Sequence, residues 1–113
     1  MTPDFYDLLY NGYTGEYQLV SSLYRNGLDA VRPPADMGID VISLNLKDQL
    51  ENPGHAPETF FFQVKTAVTT IEKSDDHPGV LVTVTFKLKP SEVDLLCADS
   101  SRALICYVYN QQS

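Results

Sequence analysis

Basic residues are scarce in this chain: eight lysines and arginines stand against fifteen acids, for a formal net charge of −7. A balance of that sign repels nucleic acid at long range and counts against tight, unassisted binding to DNA or RNA. Cysteine is scarce as well. Cys97 and Cys106 are the only two, both among apolar residues, which suits buried thiols packing as small hydrophobes rather than a disulfide or half a metal site. The two histidines, His55 and His77, have no partner at metal-ligand spacing and read as loop residues. No run of about 18 apolar residues occurs, and "MTPDFYDLLYNGYTGEY" has no basic leader ahead of an apolar segment. The expectation is neither export nor membrane insertion but a cytoplasmic, reducing setting.

What is present is an ordinary globular composition, 43% hydrophobic and 20% charged over 113 residues. That is room for a single domain spanning 1–113 with its core over about 14–109, and it also suits one piece of a larger protein.

Local signals divide the chain into elements. Residues 3–10 suit a short accessory helix closed by Asn11-Gly12, and a second helix follows with Thr14 as its Ncap. In it Tyr17, Val20, Leu23 and Tyr24 recur at helical spacing and Asn26-Gly27 supplies a stop. "LDAVRP" (28–33) reads as a short strand ended by Pro33-Pro34. "IDVISLNL" (39–46) reads as the next, with Asp40, Ile42, Leu44 and Leu46 on one face and Ile39, Val41 and Ser43 on the other. Residues 47–58 form a polar, hairpin-like loop, and "TFFFQVKTA" (59–67) is a third strand. After the loop "EKSDDHPG" (72–79), the β-branched run "VLVTVTFKLK" (80–89) is a fourth. "PSEVDLLCADS" (90–100) predicts a helix and "ALICYVYN" (103–110) a last strand. The order helix-strand-strand-strand-strand-helix-strand predicts the α/β class, a mixed sheet flanked by helices with its final strand paired parallel.

Four polar side chains stand out against that pattern. Glu16 shares a helical row with Val20, Leu23 and Gly27, so it lies at the edge of the apolar stripe, where a carboxylate needs a partner or a cation. Asp40 opens an apolar row beside the turn at Gly38. Gln63 and Lys65 share a face of their strand, opposite Phe60, Phe62 and Val64. Two carboxylates, an amide oxygen and an ammonium have one joint use: hard oxygen ligands suit Mg²⁺, and a nearby lysine stabilises charge that develops at a phosphate.

The series "GE" at Gly15-Glu16, "DMGIDV" from Asp36 and "QVK" at Gln63-Lys65 resembles the PD-(D/E)XK nuclease superfamily, in particular its Mrr-like restriction endonuclease branch, where glutamine often replaces an acid. The likeness covers about residues 14–109. It implies a restriction-endonuclease-like fold and a metal-dependent endonuclease that hydrolyses DNA in restriction, defence or repair, with Mg²⁺ or Mn²⁺ as cofactor. It also implies that Asp40 and Gln63 bind the metal with the backbone carbonyl of Val64, that Lys65 acts on the attacking water, that Glu16 is the helix acid, and that Asp36 supports the turn. Because the surface is acidic, DNA binding would call on a homo-oligomer or on a further DNA-binding domain or subunit. The alternative is a catalytically inactive module that keeps the nuclease fold for protein contacts. Five of the seven tyrosines fall within the first 24 residues. They read chiefly as core packing with exposed hydroxyls, with base stacking or a partner surface as alternatives. Arg25, Arg32 and Lys47 read as solvated bases.

Overall fold

The computed structural model describes residues 5–34, 38–69 and 83–110. The first element, α1 (Phe5–Arg25), is one continuous helix of 21 residues. The expected break at Asn11-Gly12 does not occur, and Thr14 is no Ncap. Its hydroxyl instead donates to the Tyr10 carbonyl one turn back, at 2.9 Å, a bond a threonine makes inside a helix. The glycines are tolerated because one face of the helix is anchored by tertiary contact. Gly15 is needed there. A Cβ at this position would stand 2.1 Å from Cγ2 of Thr66 and 3.2 Å from Cγ1 of Val64, so only a glycine lets the helix lie this close to the strand beneath.

The stop at the far end is as expected. Gly27 has φ +78°, its N–H donates to Tyr24, and the Leu28 N–H donates to Leu23 at 3.0 Å. These two bonds close the last turn as a Schellman motif, with glycine in the left-handed position.

Strand β1 (Asp29–Val31) pairs antiparallel with β2 (Val41–Leu44), and β2 antiparallel with β3 (Thr59–Thr69). Between β2 and β3 lies α2 (Leu46–Glu51), where a loop was expected. Buried Asn45 explains the difference. Its Nδ2 donates to the Ala56 carbonyl at 3.0 Å, and its Oδ1 accepts from the Glu58 N–H at 2.7 Å and from Gln49 Nε2 at 2.9 Å. One amide side chain thus fixes the helix to the returning loop. Asp48 and His55 add a contact at 3.0 Å, which helps hold the Asp48 carboxyl below its ordinary range.

The chain then passes through α3 (Pro90–Cys97) to β4 (Arg102–Asn110), which pairs parallel with β3. The sheet order is β1-β2-β3-β4. An α/β class, a mixed sheet and a final parallel pairing reached through a helix are therefore observed.

The fourth expected strand is not. Residues 80–82 of "VLVTVTFKLK" lie outside the described residues, as does the loop 72–79 with His77. Residues 83–89 carry no strand. Their exposure still alternates, with Val84, Phe86 and Leu88 half-buried and Thr83, Thr85 and Lys87 exposed. Period-two patterning prepares side chains for a sheet, but ladder hydrogen bonds need a neighbouring backbone as well.

The core lies between α1 and one face of the sheet. Leu19, Leu23, Ala30 and Val41 are buried there, with Val20, Leu28, Phe62, Val64, Ile105 and Tyr107 packed around them. By alternation, Gln63 and Lys65 take the opposite face, the one that α3 covers.

Two further expectations are corrected by exposure. Cys97 and Cys106 are both exposed, because Cys97 ends α3 and Cys106 alternates away from the core residues Ile105 and Tyr107. Tyr6, Tyr10, Tyr13, Tyr17 and Tyr24 are exposed too. Steps of four, three, four and seven place them on one outer stripe of α1, away from the face buried through Gly15, Leu19 and Leu23.

Candidate active site

Ahead of β2, Gly38 takes φ +78°, and the ladder between β2 and β3 begins only at Val41 opposite Phe62. The last backbone bond across this pair is Asp40 N–H to the Phe62 carbonyl, 2.8 Å. One step further, the Asp40 side chain takes over: its Oδ2 accepts the Val64 N–H at 2.7 Å. In an antiparallel ladder a residue's N–H and C=O face the same neighbour. The Val64 carbonyl therefore faces the side where β2 has departed, next to Asp40. Past the end of the ladder, the Val64 peptide oxygen and the Asp40 carboxylate thus lie on the same side of β3.

Gln63 and Lys65 flank Val64 and point to the α3 face. There a cleft of about 450 Å³ is lined by Gly38, Asp40, Gln63, Val64, Lys65, Lys89, Ser91, Glu92 and Leu95. Asp40, Gln63 and Lys65, three of the four side chains grouped by the sequence pattern, thus line one cavity, together with Val64, which the resemblance adds.

Sequence reasoning misses Glu92, which joins them. Proline fits the first turn of α3, since Pro90 has no N–H to leave unpaired. Two residues later the Glu92 Oε1 accepts the Lys89 N–H at 3.1 Å, a reciprocal capping bond. Its Oε2 accepts from Lys65 Nζ at 3.0 Å and from Gln63 Nε2. The Lys65 and Glu92 side chains are only 30% and 12% exposed. The Glu92 carboxyl is held at about 2, below its ordinary 4.5, first by the Lys89 N–H and then by the Lys65 and Gln63 bonds, with burial opposing. An acid in the first turn of a predicted helix is visible in the sequence, but nothing there places that turn over β3.

Glu16 does not join the cleft. It sits on α1, which packs against the other face of the sheet, and pairs with Arg32 Nη2 at 3.3 Å. Arg32, expected to be solvated, is built in: Nη1 donates to the Tyr17 hydroxyl at 2.7 Å and the guanidinium lies over the rings of Tyr17 and Tyr13, 4.5 and 5.0 Å from their centroids. Asp36 lies outside the described residues.

The oxygen donors suit a hard divalent cation. Asp40 offers a carboxylate, Val64 a peptide carbonyl, and Gln63 an amide oxygen, since its nitrogen is engaged by Glu92. Among the described residues no group of three or more histidines, cysteines or acids forms a metal cluster. A cation here would thus rely on one carboxylate, neutral oxygens, waters and substrate phosphate, a set that Mg²⁺ accepts. Among the described residues no helix is long and apolar enough to cross a membrane. Neither a protein-family model, nor a curated protein, nor a solved structure matches the chain.

Proposed function

We propose that this chain is a nuclease-like domain that hydrolyses DNA phosphodiester bonds with the help of Mg²⁺ or Mn²⁺, in the manner of the Mrr-like enzymes it resembles. The observation that carries the reading is the convergence of Asp40, Gln63, the Val64 peptide and Lys65 on one cleft at a strand end. Asp40, Gln63 Oε1 and the Val64 carbonyl would hold the cation. When bound, the metal lowers the pKa of its water and screens charge on the phosphate. Lys65, anchored at 3.0 Å from Glu92, presents an ammonium to the attacking water and to the anionic transition state. Lys89 and Ser91 on the cleft wall are donors for phosphate oxygens. With a net charge of −7, the domain would rely on a second copy or on a DNA-binding domain or subunit to bring the duplex in.

A second reading keeps the fold but not the chemistry: a module for protein contacts. It is favoured by the exposed tyrosine stripe of α1, since tyrosine is enriched at interfaces. Cleavage of plasmid and single-stranded DNA with Mg²⁺ or Mn²⁺ separates the two. Activity in the wild type that is lost in Asp40→Ala and Lys65→Ala supports the nuclease. Equal, background-level cleavage by all three leaves the contact module.

A further inference from the structure

The Gln63 amide ends in an oxygen and a nitrogen that differ little in shape and wholly in chemistry. A hard cation binds the oxygen and is repelled by the amide hydrogens, so the orientation of the group decides whether Gln63 is a ligand at all. In a carboxylate at this position either end would serve. A chain that carries glutamine here needs something to choose the end.

We propose that Glu92 makes that choice and is a positioning residue of the cleft. One of its oxygens, Oε2, takes both the Gln63 amide nitrogen and the Lys65 ammonium. With Nε2 engaged, Oε1 is the end of the amide left for a cation, and the same contact fixes where the Lys65 charge stands. Glu92 is better suited to this work than to binding metal itself. Three donors already occupy its two oxygens, the third being the Lys89 N–H on Oε1. Outer partners of this kind orient ligands and typically change metal affinity about 10- to 100-fold when removed. The inference rests on the metal-dependent reading above.

A plain structural role for Glu92, capping α3, predicts a different outcome, and Glu92→Gln distinguishes them. Glutamine also serves at the third position of a helix, so the cap survives. What it lacks is the charge and the second oxygen needed to satisfy Lys65, Gln63 and Lys89 together. Mn²⁺ binding, followed by electron paramagnetic resonance in the absence of DNA at a temperature where circular dichroism shows the variant folded, should weaken about 10- to 100-fold in Glu92→Gln, whereas a role confined to the cap leaves the affinity unchanged. The exchanged pair Gln63→Glu with Glu92→Gln should recover most of the affinity, because the acid at 63 has no wrong end and the amide nitrogen at 92, standing where Oε2 stood, can donate to it while the amide oxygen keeps the Lys89 cap.

Wild-type Mn²⁺ affinity in Glu92→Gln, or an exchanged pair no better than the single variant, overturns the role of Glu92. Asp40→Ala tells that failure from a deeper one. If Mn²⁺ binding is lost in Asp40→Ala but kept in Glu92→Gln, only Glu92 has been misassigned. If the wild type binds no Mn²⁺, or Asp40→Ala binds it equally well, the metal site falls and the inference falls with it.

Discussion

The Asp40 carboxylate accepts the Val64 N–H at 2.7 Å, directly after the last backbone bond between β2 and β3. One side chain therefore completes the ladder and marks the place where the strands part. In Asp40→Ala the Val64 N–H loses its acceptor, which should cost about 1–3 kcal/mol of stability. Asp40→Asn keeps an oxygen in reach and should unfold at nearly the wild-type urea midpoint. On the nuclease reading proposed above, both variants should also lose cleavage and Mn²⁺ affinity, because neither a methyl group nor a neutral amide replaces the charge of the carboxylate. Equal destabilisation of the two would show that the Val64 contact is not what Asp40 contributes to folding.

The two glycines inside α1 should respond in opposite directions to the same substitution. At Gly12 an added Cβ would meet nothing within 4 Å, so Gly12→Ala should stabilise the helix by up to about 1 kcal/mol. Gly15→Ala brings the same propensity gain but drives a methyl group into Thr66 and Val64. Overpacking of that kind costs about 1–3 kcal/mol, so the net change should be a loss. Urea unfolding of the two variants checks both signs, and stabilisation by Gly15→Ala would remove the argument for close helix-strand contact.

This pair also shows where sequence reading stops. Gly12 and Gly15 look alike in the sequence, and Asn11-Gly12 reads as a stop like Asn26-Gly27. Only the second is one, because Leu28 can fold back to the Leu23 carbonyl while the earlier pair is carried through by contacts that begin at Gly15. The period-two placement of Gln63 and Lys65 was legible since strand geometry alone dictates it. That they share a cleft with Asp40 followed from the antiparallel register of β2 and β3. Glu92, Asn45 and Arg32 were not legible as partners. Their roles depend on segments 11 to 29 residues away in the chain meeting in space, and no local pattern encodes such a meeting. The run at 83–89 failed for a related reason, since its pattern is that of a strand but no ladder partner stands beside it among the described residues.

Glu92 should titrate far below an ordinary glutamate. Its ordinary value is 4.5 and the folded value about 2, with the Lys89 N–H the largest cause and the Lys65 bond next. Since the unfolded chain takes up the proton first, the contribution of this carboxylate to stability is complete above pH 4.5. It declines as the pH falls toward about 2 and is gone below that. The side-chain carboxyl carbon shift of Glu92, followed by NMR, should have its midpoint near 2. In Lys65→Met the midpoint should rise part of the way toward 4.5, because the Lys89 bond remains. A wild-type midpoint near 4.5 would exclude the contacts of Glu92 in solution.

Arg32 and Lys47 each pair with a glutamate, yet only one pair should matter. Lys47 and Glu51 are 3.9 Å apart on α2 with side chains 65% and 62% exposed, so solvent screens the attraction and Lys47→Ala should change stability by less than about 0.5 kcal/mol. Arg32 meets Glu16 at 3.3 Å with side chains 28% and 17% exposed, donates to the Tyr17 hydroxyl and covers two rings. After allowance for its partial exposure, Arg32→Ala should cost about 1–2 kcal/mol, chiefly from lost ring packing and the lost contact with Glu16. Arg32→Lys keeps the charge but cannot place two donors on two partners while lying flat on a ring, so it should recover less than half of that loss. Urea midpoints for the three variants test the ordering. Full recovery by lysine would mean that charge alone, rather than the planar fork of arginine, holds α1 to the end of β1.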